Sequence, residues 1–298
     1  MRVMLFILMQ LAVIAVVGIV GTILTSLFGI KLSGSSYSSL LVMCALYGFV
    51  GSFISLFLSK WMCKRAYGVR TFTQATNSQE AFLLNTIASL SQKIGIAMPE
   101  VGIYESDDPN AFATGASKNA ALVAVSSGLL NNMTEDEVKG VLGHEMSHIA
   151  NGDMVTMSLL QGVLNTFVYF FSYIVATAVS NFMSRQSDDE SSSSSGGMAF
   201  YLINFLCQMI FGIAAQLILM WFSRYREFKA DEGSAYLEGK DCMINALKAL
   251  SRTGPSTSNA DASMQALCIN GSQSLSALFL SHPPLEKRIE ALKALNIH

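Results

Sequence analysis

Four stretches of the chain contain no Asp, Glu, Lys or Arg: residues 3–30, 32–59, 154–184 and 191–223. Each holds an apolar run long enough to cross the hydrocarbon of a bilayer, so the pattern predicts four transmembrane helices in two hairpins. The first run follows Arg2 and could pass for a cleavable leader. Its apolar part is longer than an h-region and a second span follows almost at once, which predicts a retained helix. A Ser/Gly-rich turn, Leu32–Ser39, joins the first hairpin. The second is joined by an acidic, Ser-rich loop over 185–197, whose composition reads as a solvated tether. The third run differs from the others in carrying Gln161, Asn165, Ser172 and Asn181, as expected of a helix that faces protein or a chamber as well as lipid.

Between and after the hairpins the periodicity changes. Ser78–Gly95 places Leu83, Ile87, Leu90 and Ile94 on one helical face, and Gly95-Ile-Ala-Met-Pro99 breaks it. Three short strands follow, Val101–Tyr104, Asn110–Thr114 and Ala121–Val125, separated by turn-forming residues. Asn110, Ala111, Phe112, Ala113 and Thr114 either offer an edge to which an extended peptide can add as a strand, or simply cap the core. Thr134 with Glu137 forms a capping box, and Glu135, Asp136 and Glu137 complement the positive end of a helix dipole. Val138, Val141, Leu142 and Ile149 make the core stripe of this helix, and Asn151-Gly152 stops it, giving a helix over about 135–150. Beyond Gly254 a Pro/Ser/Thr/Asn-rich loop precedes apolar pieces at Met264–Ile269 and Leu275–Leu280 and a last helix, Leu285–Leu295. The chain thus divides into a hairpin (1–65), a soluble segment (66–153), a second hairpin (154–222) and a second soluble segment (223–298).

Composition agrees with a membrane protein: 51% of residues are hydrophobic and 13% charged. Arg2, the Lys60–Arg70 cluster, Arg224, Arg226 and Lys229 flank the spans on one side, against Lys31 and Arg185 on the other. The positive-inside rule then puts both termini and both soluble segments in the cytoplasm. Cys44, Cys63, Cys207, Cys242 and Cys268 are odd in number, scattered and without a C-x-x-C, and read as reduced thiols. A net charge of −2 and the lack of any basic-aromatic stripe give no sign of nucleic-acid binding.

The chemistry lies in the predicted helix over 135–150. His144-Glu145-Met146-Ser147-His148 puts two imidazoles one turn apart on one face, where they can share a metal ion. Neutral imidazole suits zinc, and a hydrolytic zinc site keeps three protein ligands and one open position. Glu145 is then placed to act as general base toward a water. A third ligand is needed, and Glu227 and Asp231, just after the fourth apolar run, are i, i+4. One could bind the metal while the other accepts the free N–H of a ligating His.

Four motifs together resemble one family. His144-Glu-Met-Ser-His148 followed by Ile-Ala-Asn-Gly-Asp153, Glu227-Phe-Lys-Ala-Asp231, Asn110-Ala-Phe-Ala-Thr-Gly115 and Ser281-His-Pro-Pro284 look like the HtpX-type membrane zinc endopeptidases. These are heat-shock-linked quality-control proteases of the bacterial inner membrane, related to CAAX prenyl proteases. The resemblance implies a mainly α membrane protein with a small β-sheet, four transmembrane helices and a zincin-like (Glu-zincin) cytoplasmic metalloprotease domain. It makes His144, His148 and Glu227 the ligands of one Zn2+ per chain, Glu145 the catalytic base and Asp231 the partner behind a ligand. His282 becomes the candidate for holding the oxyanion, with Arg288 in support; the competing reading of His282 is a turn residue before Pro-Pro.

The expected function is hydrolysis of peptide bonds in misfolded or damaged membrane proteins and unfolded polypeptides at the cytoplasmic face. His148 lies six residues before Met154 and Glu227 six after Trp221, so at about 1.5 Å per helical residue each ligand sits roughly 9 Å from an apolar run. Two other classes fit less of the sequence. A zinc-dependent lipid hydrolase has no use for a peptide-binding strand, and a non-enzymatic membrane scaffold has none for His-Glu-x-x-His.

Overall fold

In the computed structural model, residues 37–186, 193–252 and 282–296 are described. They fall into two compact units, one of the residues up to Ser55 with Ser158–Leu219, the other of Leu56–Met157 with Met220 onward. The elements in chain order are α1 (Tyr37–Tyr67), β1 (Arg70–Phe72), α2 (Ser78–Ile94), β2 (Glu100–Tyr104), β3 (Ala111–Gly115), β4 (Ala121–Ser126), α3 (Ser127–Asn132), α4 (Glu135–Asn151), α5 (Asp153–Gln186), α6 (Ser193–Glu238), α7 (Lys240–Arg252) and α8 (Leu285–Ala294).

The first unit is helical. Three helices, over Tyr37–Tyr67, Asp153–Met183 and Gly197–Glu238, are long and apolar enough to cross a membrane. The predicted first span, 3–30, and the two apolar pieces at 264–280 lie outside the described residues. Part of the segment foreseen as a loop over 185–197 is helical: α5 runs to Gln186 and α6 starts at Ser193. Within this unit α1 and α5 meet where Gly48 and Gly162 remove side chains; a Cβ on Gly48 would lie 2.7 Å from the Gly162 carbonyl oxygen. Thr166 and Ser52 return their hydroxyls to the carbonyls of Gly162 and Gly48 in their own helices, so neither of these two is left unpaired in an apolar setting. Phe167, Phe171, Tyr201, Phe205 and Ile210 are exposed, a surface suited to lipid rather than water.

The second unit is built on a four-stranded mixed sheet of order β1-β2-β4-β3. β2 and β4 pair in parallel, whereas β1 with β2 and β3 with β4 are antiparallel. Alternation along the strands divides the side chains between two faces. Val101, Ile103, Ala111, Val123 and Val125 join Leu83, Ile87 and Leu90 of α2 and Val138, Val141, Leu142 and Ile149 of α4 in the main core. Tyr104, Phe112, Leu122 and Ala124 on the other face pack with Cys63 and Tyr67 from the end of α1. Both faces are therefore covered, which is why these strands lack the polar alternation of a half-exposed sheet.

The helix boundaries follow local chemistry. Asn77 accepts the Glu80 N–H at the start of α2, and Gly95 ends it in the left-handed region at φ 75°. Glu80 is held in turn by Thr76 and Arg70. In α4 the expected capping box forms, with Glu137 Oε2 accepting the Thr134 N–H at 2.8 Å and Oε1 accepting from Arg252 at the end of α7. Strands β2, β3 and β4 differ from expectation by a residue at one or both ends. β1, α3 and α7 were not foreseen: three and six residues are too few to show a period in the first two, whereas α7 carries a clear stripe in Met243, Ile244, Leu247 and Leu250.

Candidate metal centre

Two helices supply the site, and small residues let them approach. Gly143 and Ser147 of α4 face Gly233 and Ser234 of α6: a Cβ on Gly143 would stand 2.6 Å from Ser234 Oγ, and one on Gly233 would stand 2.5 Å from Ser147 Oγ. Ser234 closes the crossing by donating to the Gly140 carbonyl at 2.7 Å. On α4, His144 and Gly143 lie next to this seam; on α6, Glu227 and Asp231 precede it by about two turns and one turn. The expected pairing of the two motifs is thus carried by glycines and serines on both sides.

His144 Nε2 and His148 Nε2 are 3.1 Å apart, and Glu227 lies 3.5 Å from the first through Oε2 and 3.2 Å from the second through Oε1. One donor atom from each of His144, His148 and Glu227 lies within 4.8 Å of the others. Donors about 2.0–2.1 Å from a tetrahedral zinc stand about 3.3 Å from one another, so the spacing fits such an ion. The charges fit it too. Burial works against charging His144 and His148, yet the carboxylates beside them outweigh it, raising both and holding His148 at about 10. Burial likewise opposes a charged Glu227, but His282, His144 and His148 pull its carboxyl well below the usual range. Two nitrogens and an oxygen at this spacing, in a pocket that favours positive charge, suit a metal ion.

Each imidazole is oriented from behind. His144 Nδ1 lies 2.9 Å from Asp231 Oδ1, as the i, i+4 spacing on α6 suggested. His148 Nδ1 lies 2.7 Å from Asp153 Oδ2, a contact not foreseen. Its origin is local: Gly152, left-handed at φ 69°, ends α4 and turns the chain so that the first residue of α5 comes back against the ring. Behind both carboxylates stand arginines. Arg288 Nε and Nη2 bond the two oxygens of Asp231 at 2.7 and 2.6 Å, and Arg226 Nε bonds Asp153 Oδ1 at 2.6 Å.

The remaining expected residues lie as follows. Glu145 is 4% exposed, beside His144. His282 Nδ1 is 2.7 Å from Glu227 Oε2, but the two are not aligned as a hydrogen bond, and both atoms remain buried without such a partner. Arg288, expected in support of an oxyanion, is instead fully buried and spends two nitrogens on Asp231 because that carboxylate needs a charge partner; its Nη1 lies 3.3 Å from Glu227 Oε2. Of the expected peptide-binding residues, Asn110 lies just before β3 and Ala111, Phe112, Ala113 and Thr114 lie on it, at the end of the strand order. Ala111 and Phe112 point into the two cores, which leaves only the backbone edge of this strand to meet an extended chain.

Comparison with known proteins agrees with this geometry. Residues 77–296 match the profile of Peptidase family M48. The chain is 56% identical over 292 residues to Protease HtpX of Tolumonas auensis, covering 98% of each chain. It is 55% identical to Protease HtpX of Aeromonas hydrophila, covering 98% of this chain and 99% of that one. Identity to Protease HtpX of Haemophilus influenzae is 52%, covering 99% of this chain and the whole of that one. In fold it is similar to the crystal structure of S. mikatae Ste24p, at a TM-score of 0.60 and 22% identity, over 85% of this chain and 58% of that one. Helices apolar enough to span a membrane, a His-Glu-x-x-His helix crossed by a Glu-bearing one, and relatives more than half identical along nearly their whole length converge: the chain is a metalloendopeptidase and belongs to Peptidase family M48.

Proposed function

We propose that the chain is a zinc endopeptidase of the bacterial inner membrane that cleaves misfolded or damaged membrane proteins and unfolded polypeptides at the cytoplasmic face. The carrying observation is the convergence of His144, His148 and Glu227 beside Glu145. These three would hold the ion, which when bound lowers the pKa of a water and polarises the scissile carbonyl. Glu145, next in sequence to a ligand and almost enclosed, takes a proton from the attacking water and returns it to the leaving amine. His282 has both ring nitrogens buried without a hydrogen-bond partner, so an N–H is free to meet a developing oxyanion once Glu227 turns to a cation. The backbone edge of β3 aligns the substrate as an added strand.

The preference for membrane substrates is supported by chain continuity: Glu227 stands on the same helix, α6, as the apolar run 197–223, and a single residue separates α4 from α5. Four spans, with both termini and the site in the cytoplasm, complete this reading.

Zinc content and casein cleavage, with and without a chelator, test it. Purified protein should carry one zinc and lose cleavage with the metal. Glu145→Gln should keep zinc and lose nearly all cleavage, whereas Glu227→Ala should lose zinc. A Glu227→Ala protein with stoichiometric zinc would remove Glu227 from the ligand set. Equal cleavage of soluble casein and of a membrane substrate sharing the enzyme's liposome would remove the membrane preference.

A further inference from the structure

We propose that Asp153 and Arg226 form a positioning pair for His148: Asp153 fixes the ring so that Nε2 faces the ion, and Arg226 holds Asp153 in place. The inference rests on reading His144, His148 and Glu227 as ligands.

An imidazole binds a metal through one nitrogen only if the other carries the proton, and a hydrogen-bond acceptor behind that N–H selects the tautomer and the ring plane. Asp153 provides that acceptor. Its Oδ2 is 2.7 Å from Nδ1, while Nε2 looks toward Glu227 and His144. Asp153 is only 5% exposed, so its charge needs a partner. Arg226 supplies one to the other oxygen through Nε at 2.6 Å, with Nη2 also in contact. Each carboxylate oxygen thus has its own task. The guanidinium holds the carboxylate from the side opposite the imidazole and fixes where its other oxygen points.

The arrangement joins three elements. His148 is in the last turn of α4, Asp153 opens α5, and Arg226 immediately precedes the ligand Glu227 on α6. Arg226 therefore registers the third ligand against the second: a shift of α6 along its axis moves Glu227 and the clamp on Asp153 together.

The experiment measures zinc affinity of the purified full-length protein by competition with a chromogenic chelator, with melting of the zinc-stripped protein as the control for folding. Asp153→Ala should weaken zinc binding about 10- to 100-fold, the usual cost of losing such a partner. Asp153→Asn keeps an acceptor oxygen but not the charge and should fall between. Arg226→Gln should weaken binding several-fold in the wild-type background and add nothing on top of Asp153→Asn, since it acts through the carboxylate. Melting of the zinc-stripped Arg226→Gln protein should change little, which separates positioning of the ligand from loss of a mere helix tie. Zinc affinity within about twofold of wild type in both Asp153 variants would overturn the proposal. So would an Arg226→Gln effect of equal size with and without Asp153. If Asp153→Ala does not accumulate, Asp153→Asn, Arg226→Gln and their double variant give the same answer. Failure of the wild-type protein to bind zinc at all would instead remove the ligand reading beneath it.

Discussion

Two chains of contacts converge on the metal centre with the same order, imidazole, carboxylate, guanidinium, but in different surroundings. His144, Asp231 and Arg288 are all sealed, with Arg288 fully buried and Asp231 1% exposed. In the other chain Asp153 is buried too, but the side chains on either side of it, His148 and Arg226, are 18% and 20% exposed. A sealed ionic group cannot trade a lost partner for water, so losing any member of the inner chain should cost the fold as well as metal binding. The outer chain borders water, and its members can be altered at a cost felt mainly by the ligand. The inner chain also anchors α8: Arg288 is the residue through which the C-terminal helix reaches the site, while Leu292 packs with Met243 and Leu247 of α7.

The largest expected effect is on the sealed side. Arg288→Ala strands the Asp231 charge and should cost about 3–5 kcal/mol, read as a collapse of the melting temperature and of zinc content. An unchanged melting temperature would erase the distinction between the chains. Gly143→Val strikes both at once by wedging α4 from α6 at a point where even a Cβ meets Ser234 Oγ at 2.6 Å; overpacking of roughly 1–3 kcal/mol should accompany loss of stoichiometric zinc.

Acid sharpens the contrast next. Burial would raise the Asp231 carboxyl, but Arg288 and His144 outweigh it and hold it at about 2, against an ordinary 3.8. A carboxyl depressed on folding stabilises the fold above its unfolded value and ceases to do so as pH falls through the folded one. The melting temperature of zinc-stripped protein should therefore drop as pH falls from about 4 to about 2, and drop less in Asp231→Asn. Salt gives the smallest effect. Arg226→Gln should cost about 1 kcal/mol or less of stability, and that cost should shrink at 1 M salt, where screening acts within about 3 Å; the penalty of Arg288→Ala should hardly move. Melting curves at two salt concentrations decide this.

Much of the site was legible because it depends on spacing within single helices. His144 with His148 and Glu227 with Asp231 are each four apart, and α4 carried its own start and stop in Thr134, Glu137 and Gly152. The core stripes of α2 and α4 and three of the four strands could be read for the same reason. Asp153 and Arg226 could not be assigned roles, since their meeting depends on the backbone direction after Gly152 and on the crossing of α4 with α6, neither of which leaves a period in the sequence. The small residues Gly143, Gly233 and Ser234 were the available signal: a glycine beside the first ligand, matched by a Gly-Ser pair about two turns beyond Glu227, marks a close helix contact. Arg288 was placed near the chemistry, but the demand of a buried carboxylate for a cation explains it better than an oxyanion does. β1 escaped because three residues with only one partly buried show no alternation.

The joint between the two helices that carry His148 and Asp153 is one residue long. Most surface connections absorb insertions, but here an added residue would turn the following helix by about 100° and swing its first carboxylate off the imidazole. An insertion or deletion at position 152 should therefore be felt at the metal, as a loss of affinity like that of removing the carboxylate itself.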